Sequence, residues 1–148
     1  MAWMVQGAGS GLGLRAGSQG RSRSERSAVV LMVLVVESDP AMRRMVVDLL
    51  DARGIGADSC ESAEAALETL RSREFNLILS DIGLPAKDGF DLVRELRELE
   101  HSPPVVLMTS FGGADTAERA KLVGAFGYLD KPFQPDELYR VVEQALGN

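Results

Sequence analysis

Four short apolar runs in this sequence end in side chains that suit phosphate chemistry. "VLVV" is followed by Glu37, Ser38 and Asp39, and "NLILS" by Asp81; "VVLM" ends in Thr109 and Ser110, and "AFGYLD" in Lys131 and Pro132. Brought together, these residues would supply carboxylates, hydroxyls and an ammonium. Hard oxygen ligands with positions left for water suit Mg²⁺. A carboxylate beside such a cation is a nucleophile toward phosphorus, with metal, lysine and hydroxyl taking up the charge of the transferred group. Each residue also has a plainer role open to it. Asp81 could cap the next loop, Thr109 could satisfy a backbone group, and Lys131 could be surface charge. The recurrence at four run ends is what points to one shared site.

The runs alternate with segments of helical period, which predicts the scaffold. Strands are expected over 29–36, 55–60, 75–80, 103–109 and 125–129. Met42, Met45, Val46, Leu49 and Leu50 make one helix face, started by Asp39 as N-cap and Pro40 in the first turn. Ala63, Ala66, Leu67 and Leu70 make a second, with Ser62 or Ser59 as its cap. Leu92, Val93, Leu96 and Leu99 make a third. A short, weakly amphipathic helix follows over 114–123, built from small residues (Ala114, Ala117, Ala120), and a last one spans 135–146. Five strands alternating with five helices imply right-handed crossovers and a parallel sheet covered on both faces. The fold class is open, doubly wound α/β, in which ligands bind at the carboxyl ends of the strands. Those ends are where the candidate residues fall.

Length and charge set the bounds. The 148 residues suffice for one ordinary domain, and no apolar run is long enough to span a bilayer. Residues 1–27 carry Arg15, Arg21, Arg23 and Arg26 against Glu25, a net of +3. The formal net charge of the chain is −6, so the rest holds −9. Such an acidic domain is a poor surface for nucleic acid, and neither direct nucleic-acid binding nor membrane insertion is expected. One cysteine, Cys60, excludes an internal disulfide and suits a reducing, cytoplasmic setting. With a single histidine, His101, it makes a weak case for a Cys–His nucleophile, and an inert thiol is the simpler reading.

The chain divides into a Gly/Ser/Arg-rich tail over 1–28 and a domain over 29–148. Within the tail, "GAGSGLG" (7–13) is similar to the glycine-rich nucleotide loop of short-chain dehydrogenases. That loop needs a strand before it and an amphipathic helix after it, and "LRAGSQGRSRSERS" cannot bury a face. A flexible tail is the better reading. Its composition also fits a transit peptide, without the amphipathic pattern. Met32 opens "MVLVVESDP" and would itself serve as a start, so the tail could reflect a mis-assigned beginning.

The segments "VLVVESDPAMRR", "FNLILSDIGLPAKDGFDLVREL", "PPVVLMTSFGG" and "GAFGYLDKPF" resemble the receiver domain of bacterial two-component response regulators. The resemblance runs from about Val29 to Leu146. Its most specific piece is Asp-x-x-Leu-Pro-x-x-Asp-Gly, here Asp81, Leu84, Pro85, Asp88 and Gly89, followed by the Lys-Pro-Phe of Lys131–Phe133. It implies a flavodoxin-like strand order 2-1-3-4-5, and Asp81 as acceptor of a phosphoryl group from a phosphohistidine on a sensor kinase or phosphotransfer protein. It implies Mg²⁺ held by Glu37, Asp81 and the backbone carbonyl of Gly83, and a switch built from Thr109, Ser110, Tyr128 and Lys131. The bond before Pro132 is typically cis in such domains. The switched surface would be the fourth helix, fifth strand and fifth helix. His101 falls between the third helix and fourth strand, away from this rim, so the donor is a partner.

One position departs from the pattern. The family ends its first strand with two adjacent acids, and Ser38 stands where the second would ligate the metal directly. Asp39 could substitute, although its capping role already explains it, and Ser38 could offer a hydroxyl or hold a water. A weakened Mg²⁺ site is therefore expected, since even a lost neighbour of a ligand costs about 10–100-fold in affinity. Gly83 and Phe111, two after Asp81 and Thr109, lean toward slow loss of the phosphoryl group. Because the chain ends directly after the last helix, the expected output is a target protein or self-association, as in a stand-alone response regulator. The alternative is a phosphorylation-independent pseudo-receiver that only binds partners. A haloacid-type hydrolase needs a second acid two after the nucleophile, where Gly83 stands. Beyond autophosphorylation and autodephosphorylation, no enzyme activity is expected.

Overall fold

The computed structural model describes residues 31–147, and the readings made for residues 1–28 lie outside them. Strands β1 (Met32–Val36), β2 (Gly56–Cys60), β3 (Leu77–Asp81), β4 (Val105–Thr109) and β5 (Gly127–Asp130) alternate with five helices. These are α1 (Pro40–Ala52), α2 (Ala63–Leu70), α3 (Gly89–Arg97), α4 (Ala114–Val123) and α5 (Pro135–Ala145). All strand pairs are parallel, in the order β2-β1-β3-β4-β5. The expected doubly wound α/β fold is present, and chain direction across the sheet reverses between β1 and β3.

Two-residue alternation along each strand feeds two separate cores. Val33, Val35, Leu77, Leu79, Val106 and Met108 pack with the apolar faces of α1 and α5. Leu34, Val36, Ile78, Leu107 and Tyr128 pack with α2, α3 and α4. Carrying the same alternation to the strand ends puts Glu37, Asp81 and Lys131 on the α1/α5 side. It puts Thr109 and Tyr128 on the other. The chemistry-bearing residues are thus sorted by parity before any tertiary detail is considered.

Helix starts are set by local chemistry. Asp39 caps α1 through Ala41 N–H at 3.2 Å, with Pro40 as the first helical residue. Ser62, rather than Ser59, caps α2 through Ala65 N–H. Asp88 and Asp91 cap α3 reciprocally at 2.9 and 3.0 Å. Helix α4 has no side-chain cap at Gly113, ends at Gly124 in the left-handed region (φ 98°), and buries only Ala120 completely. Its weak hold matches the small residues read in the sequence. Strand β3 starts two residues later than expected, at Leu77, just after Asn76, whose N–H donates to the Met32 carbonyl at 2.8 Å. Strand β5 likewise starts at Gly127 rather than 125.

The Asp88–Gly89 pair has a steric reason. Gly89 N–H donates to the Ile82 carbonyl at 2.8 Å, and a Cβ there would stand 2.7 Å from the Asp81 carbonyl oxygen and 2.8 Å from Ile82 Cα. The first turn of α3 therefore lies directly on the end of β3. Gly89→Ala is expected to lower stability by about 1–3 kcal/mol, the usual range for overfilling a tight site. Urea unfolding of both chains checks this, and an unchanged midpoint would contradict the packing described.

Candidate functional site

The carboxyl ends of β1, β3 and β5 converge on one ammonium. Lys131 Nζ lies 2.7 Å from Glu37 Oε1 and 3.3 Å from Asp81 Oδ1. All three side chains are largely withdrawn from water, at 10%, 2% and 14% exposure for Lys131, Glu37 and Asp81. Charges this buried are tolerated only when paired. Two carboxylates against one ammonium leave one negative charge, on the side where Asp81 meets solvent.

Glu37 is held on every side. Its second oxygen accepts Asp39 N–H at 3.1 Å, its own N–H donates to the Cys60 carbonyl, and its carbonyl accepts from the Arg43 guanidinium at 2.7 Å. Arg43 is a site residue that the sequence reading missed. Its signal was a basic residue one turn into the helix that follows a rim acid. Ser38 is exposed and so is Asp39, whose carboxylate is engaged in capping α1. Gly83 is close to the acceptor face, since a Cβ on it would stand 3.9 Å from Asp81 Oδ2. The Lys131–Pro132 bond is cis.

The oxygen donors match Mg²⁺ in kind and fall short in number. Glu37, Asp81 and the Gly83 carbonyl offer hard oxygen atoms, and a cation bound by so few would keep several water positions. Among the described residues, no group of three or more His, Cys, Asp or Glu side chains is placed to hold a metal. A third carboxylate would stand at Ser38. The residues therefore fit a two-carboxylate site.

Thr109 and Tyr128 lie on the other face of the sheet. Thr109 is buried and its hydroxyl oxygen accepts Phe111 N–H at 3.0 Å, while Ser110 is exposed. Tyr128 is 2% exposed; its hydroxyl donates to Asp130 Oδ1 at 2.8 Å and accepts Gly113 N–H at 3.2 Å. Lys131 N–H donates to the Thr109 carbonyl at 2.8 Å, which ties the two faces together. Asp130 was not singled out from the sequence, though its place two after Tyr128 puts both side chains on one strand face. His101 is exposed, beside Asn76 and Pro103 in a cleft of about 900 Å³ at the opposite, amino end of the sheet. Burial pushes the Cys60 thiol above its ordinary range, in keeping with an unreactive sulfur.

Comparison with known proteins agrees with this geometry. Residues 33–143 match the response regulator receiver domain family, and the chain belongs to that family. It is 32% identical over 114 residues to the transcriptional regulatory protein FixJ of Bradyrhizobium diazoefficiens, covering 77% of this chain and 56% of that one. It is 40% identical over 116 residues to the response regulator protein FleR of Pseudomonas aeruginosa, covering 78% of this chain and 24% of that one. The chain thus spans about half or less of the curated relatives it matches. Among solved structures, the chemotaxis response regulator CheY4 of Vibrio cholerae superposes with a TM-score of 0.75 at 28% identity. That match covers 80% of this chain and all of the other. NtrX from Brucella abortus gives 0.74 at 31% identity, over 80% of this chain and 27% of that one. Receiver domains are signalling domains that work with histidine kinases and downstream effectors and generally bind Mg²⁺ at the phosphorylation site. No helix of the described residues is long and apolar enough to cross a membrane.

Burial, with the bond to Asp130 next, pushes the Tyr128 phenol up to about 12. The folded chain then holds this proton more tightly than the unfolded chain. The resulting stability is complete below pH 10 and is lost as pH rises from about 10 to about 12. Urea unfolding at intervals across that window is expected to show a steeper loss in the wild type than in Tyr128→Phe. Parallel losses would contradict the buried, bonded phenol.

Proposed function

We propose that Asp81 is the phosphoacceptor of a two-component phosphorelay and that the chain switches a protein-binding face when it is charged. The observation that carries this reading is the Asp81 carboxylate at the tip of β3, partly open to solvent and 3.3 Å from the Lys131 ammonium. An Asp81 oxygen attacks the phosphorus of a phosphohistidine on a sensor kinase or phosphotransfer protein. The P–N bond breaks, its electron pair leaves with the imidazole nitrogen, and an acyl phosphate forms. Lys131 stays beside the charge that gathers on the phosphoryl oxygens. Thr109 accepts from Phe111 N–H and so keeps its own hydroxyl proton to donate to one of them. Glu37 anchors Lys131, and Gly83 places no side chain over the approach to Asp81.

Mg²⁺, held by Glu37, Asp81 and the Gly83 carbonyl, would supply positive charge to the transferring group. Ser38 weakens that site. The readout is the face formed by α4, β5 and α5, which carries the exposed Leu122 and lies beside Phe111 at 88% exposure. The partner on that face is a target protein or a second copy of the chain, and the acidic domain does not itself touch nucleic acid. A second reading, a phosphorylation-independent pseudo-receiver, draws on Ser38 and on both Glu37 oxygens already being engaged.

Intact-protein mass after incubation with acetyl phosphate and Mg²⁺ is expected to gain one phosphoryl group, and Asp81→Ala is expected to gain none. No gain at tens of millimolar Mg²⁺ would favour the pseudo-receiver. Calorimetric titration is expected to show Ser38→Asp binding Mg²⁺ about 10–100-fold more tightly than the wild type. Equal affinities would remove the proposed handicap at Ser38.

A further inference from the structure

The β4–α4 loop is clamped by a pair outside the acceptor cluster. Asp130 accepts the Tyr128 hydroxyl at 2.8 Å, and that hydroxyl accepts Gly113 N–H at 3.2 Å, at the residue that starts α4. The loop lies so close over this pair that Gly112 has no room for a side chain. A Cβ there would run into the Tyr128 hydroxyl and Asp130 Oδ1 and stand 3.0 Å from Asp130 Cγ. Among the described residues, Gly113 provides no cap, Ser110 to Asp115 are exposed, and the further polar ties are Phe111 N–H to the Thr109 hydroxyl at 3.0 Å and the Thr116 hydroxyl to the Phe111 carbonyl at 3.2 Å.

We infer that Asp130 is a positioning residue that holds Tyr128 inward and, through it, fixes the β4–α4 loop in the chain without a phosphoryl group. The deduction rests on the reading of Thr109 and Tyr128 as the switch. The direction of the bonds decides the assignment. Tyr128 has one hydroxyl proton, and Asp130 takes it, so the oxygen's lone pairs are left to accept Gly113 N–H. Removing the acceptor frees that proton to seek another partner and lets the ring turn. The tie to Gly113 then goes with it. An inward Tyr128 in this chain is therefore set by its strand neighbour rather than by events at Asp81. The surface around Phe111, which directly follows Ser110, is held in the same way.

Hydrogen exchange of the full chain, read by mass spectrometry without any phosphoryl donor, tests this separately from phosphorylation at Asp81. Asp130→Ala is expected to speed exchange of Gly113 and the first turn of α4 by about tenfold, as loss of a charge-assisted bond would. Tyr128→Phe, which keeps the buried ring and removes only the hydroxyl, is expected to do the same. Asp130→Asn keeps an acceptor oxygen and is expected to stay close to wild type. Exchange in β1 and β3 is expected to be unchanged in all three, which separates the effect from general unfolding. Wild-type exchange at α4 in Tyr128→Phe, or an Asp130→Asn chain as fast as Asp130→Ala, would overturn the assignment.

Discussion

A single ammonium shared by two nearly buried carboxylates is the constraint around which this domain is arranged. Lys131 reaches Glu37 and Asp81 from the end of β5, although β1 and β3 are neighbours and β5 lies at the far edge of the sheet. Removing Lys131 would leave two carboxylates uncompensated in a poorly solvated place, a loss of several kcal/mol in comparable buried pairs, whereas removing Asp81 leaves Glu37 and Lys131 as a balanced pair. The arrangement needs three strands to end at the same level. It also needs each of the three residues to fall on the same side of the sheet. Strand order β2-β1-β3-β4-β5 provides the first, and the two-residue alternation from Val35, Leu79 and Leu129 provides the second.

That alternation also keeps the ion cluster and the buried tyrosine on separate faces of the sheet. The ion cluster belongs to the α1/α5 side, and Thr109, Tyr128 and Asp130 belong to the side of α2, α3 and α4. The link between them is short and made of backbone: Lys131 N–H on the Thr109 carbonyl, and the adjoining ends of β4 and β5. Asp81 contacts Lys131 directly, and Lys131 contacts Thr109 through its backbone N–H. The element beyond them, α4, is the least anchored helix, buried completely only at Ala120. Weak anchoring is what lets a local event choose between two positions of an element.

Much of this was readable in the sequence, and the parts that were not share a cause. Strand ends marked by Glu37, Asp81, Thr109 and Lys131 were legible because apolar runs stop where polar chemistry starts. The caps at Asp39 and Ser62 were legible because capping is local, whereas Asp88 was read only as part of the motif and its capping of α3 came from the fold. The motif spacing from Asp81 to Gly89 was legible as a pattern, but its steric reason, a helix turn resting on the Asp81 carbonyl, required the fold. Arg43 and Asp130 were passed over. Each acts through a contact set by tertiary placement, Arg43 on the Glu37 carbonyl and Asp130 through a ring turned into the core. Charge alone gave neither away in a chain whose surface is already rich in both signs. The start of β5 was misplaced because Ala125 is buried and Phe126 half-buried without being paired as strand, a distinction that apolar patterning does not make.

Of the two carboxylates beside Lys131, Asp81 and not Glu37 is the one proposed to take the phosphoryl group. Borohydride reduces an acyl phosphate to an alcohol and so marks the acceptor permanently. Phosphorylated chain treated in this way and mapped by peptide mass spectrometry is predicted to carry homoserine at position 81, with Glu37, Asp39 and Asp130 intact. Reduction at one of those three instead, or a phosphoryl group that resists borohydride, would contradict the account.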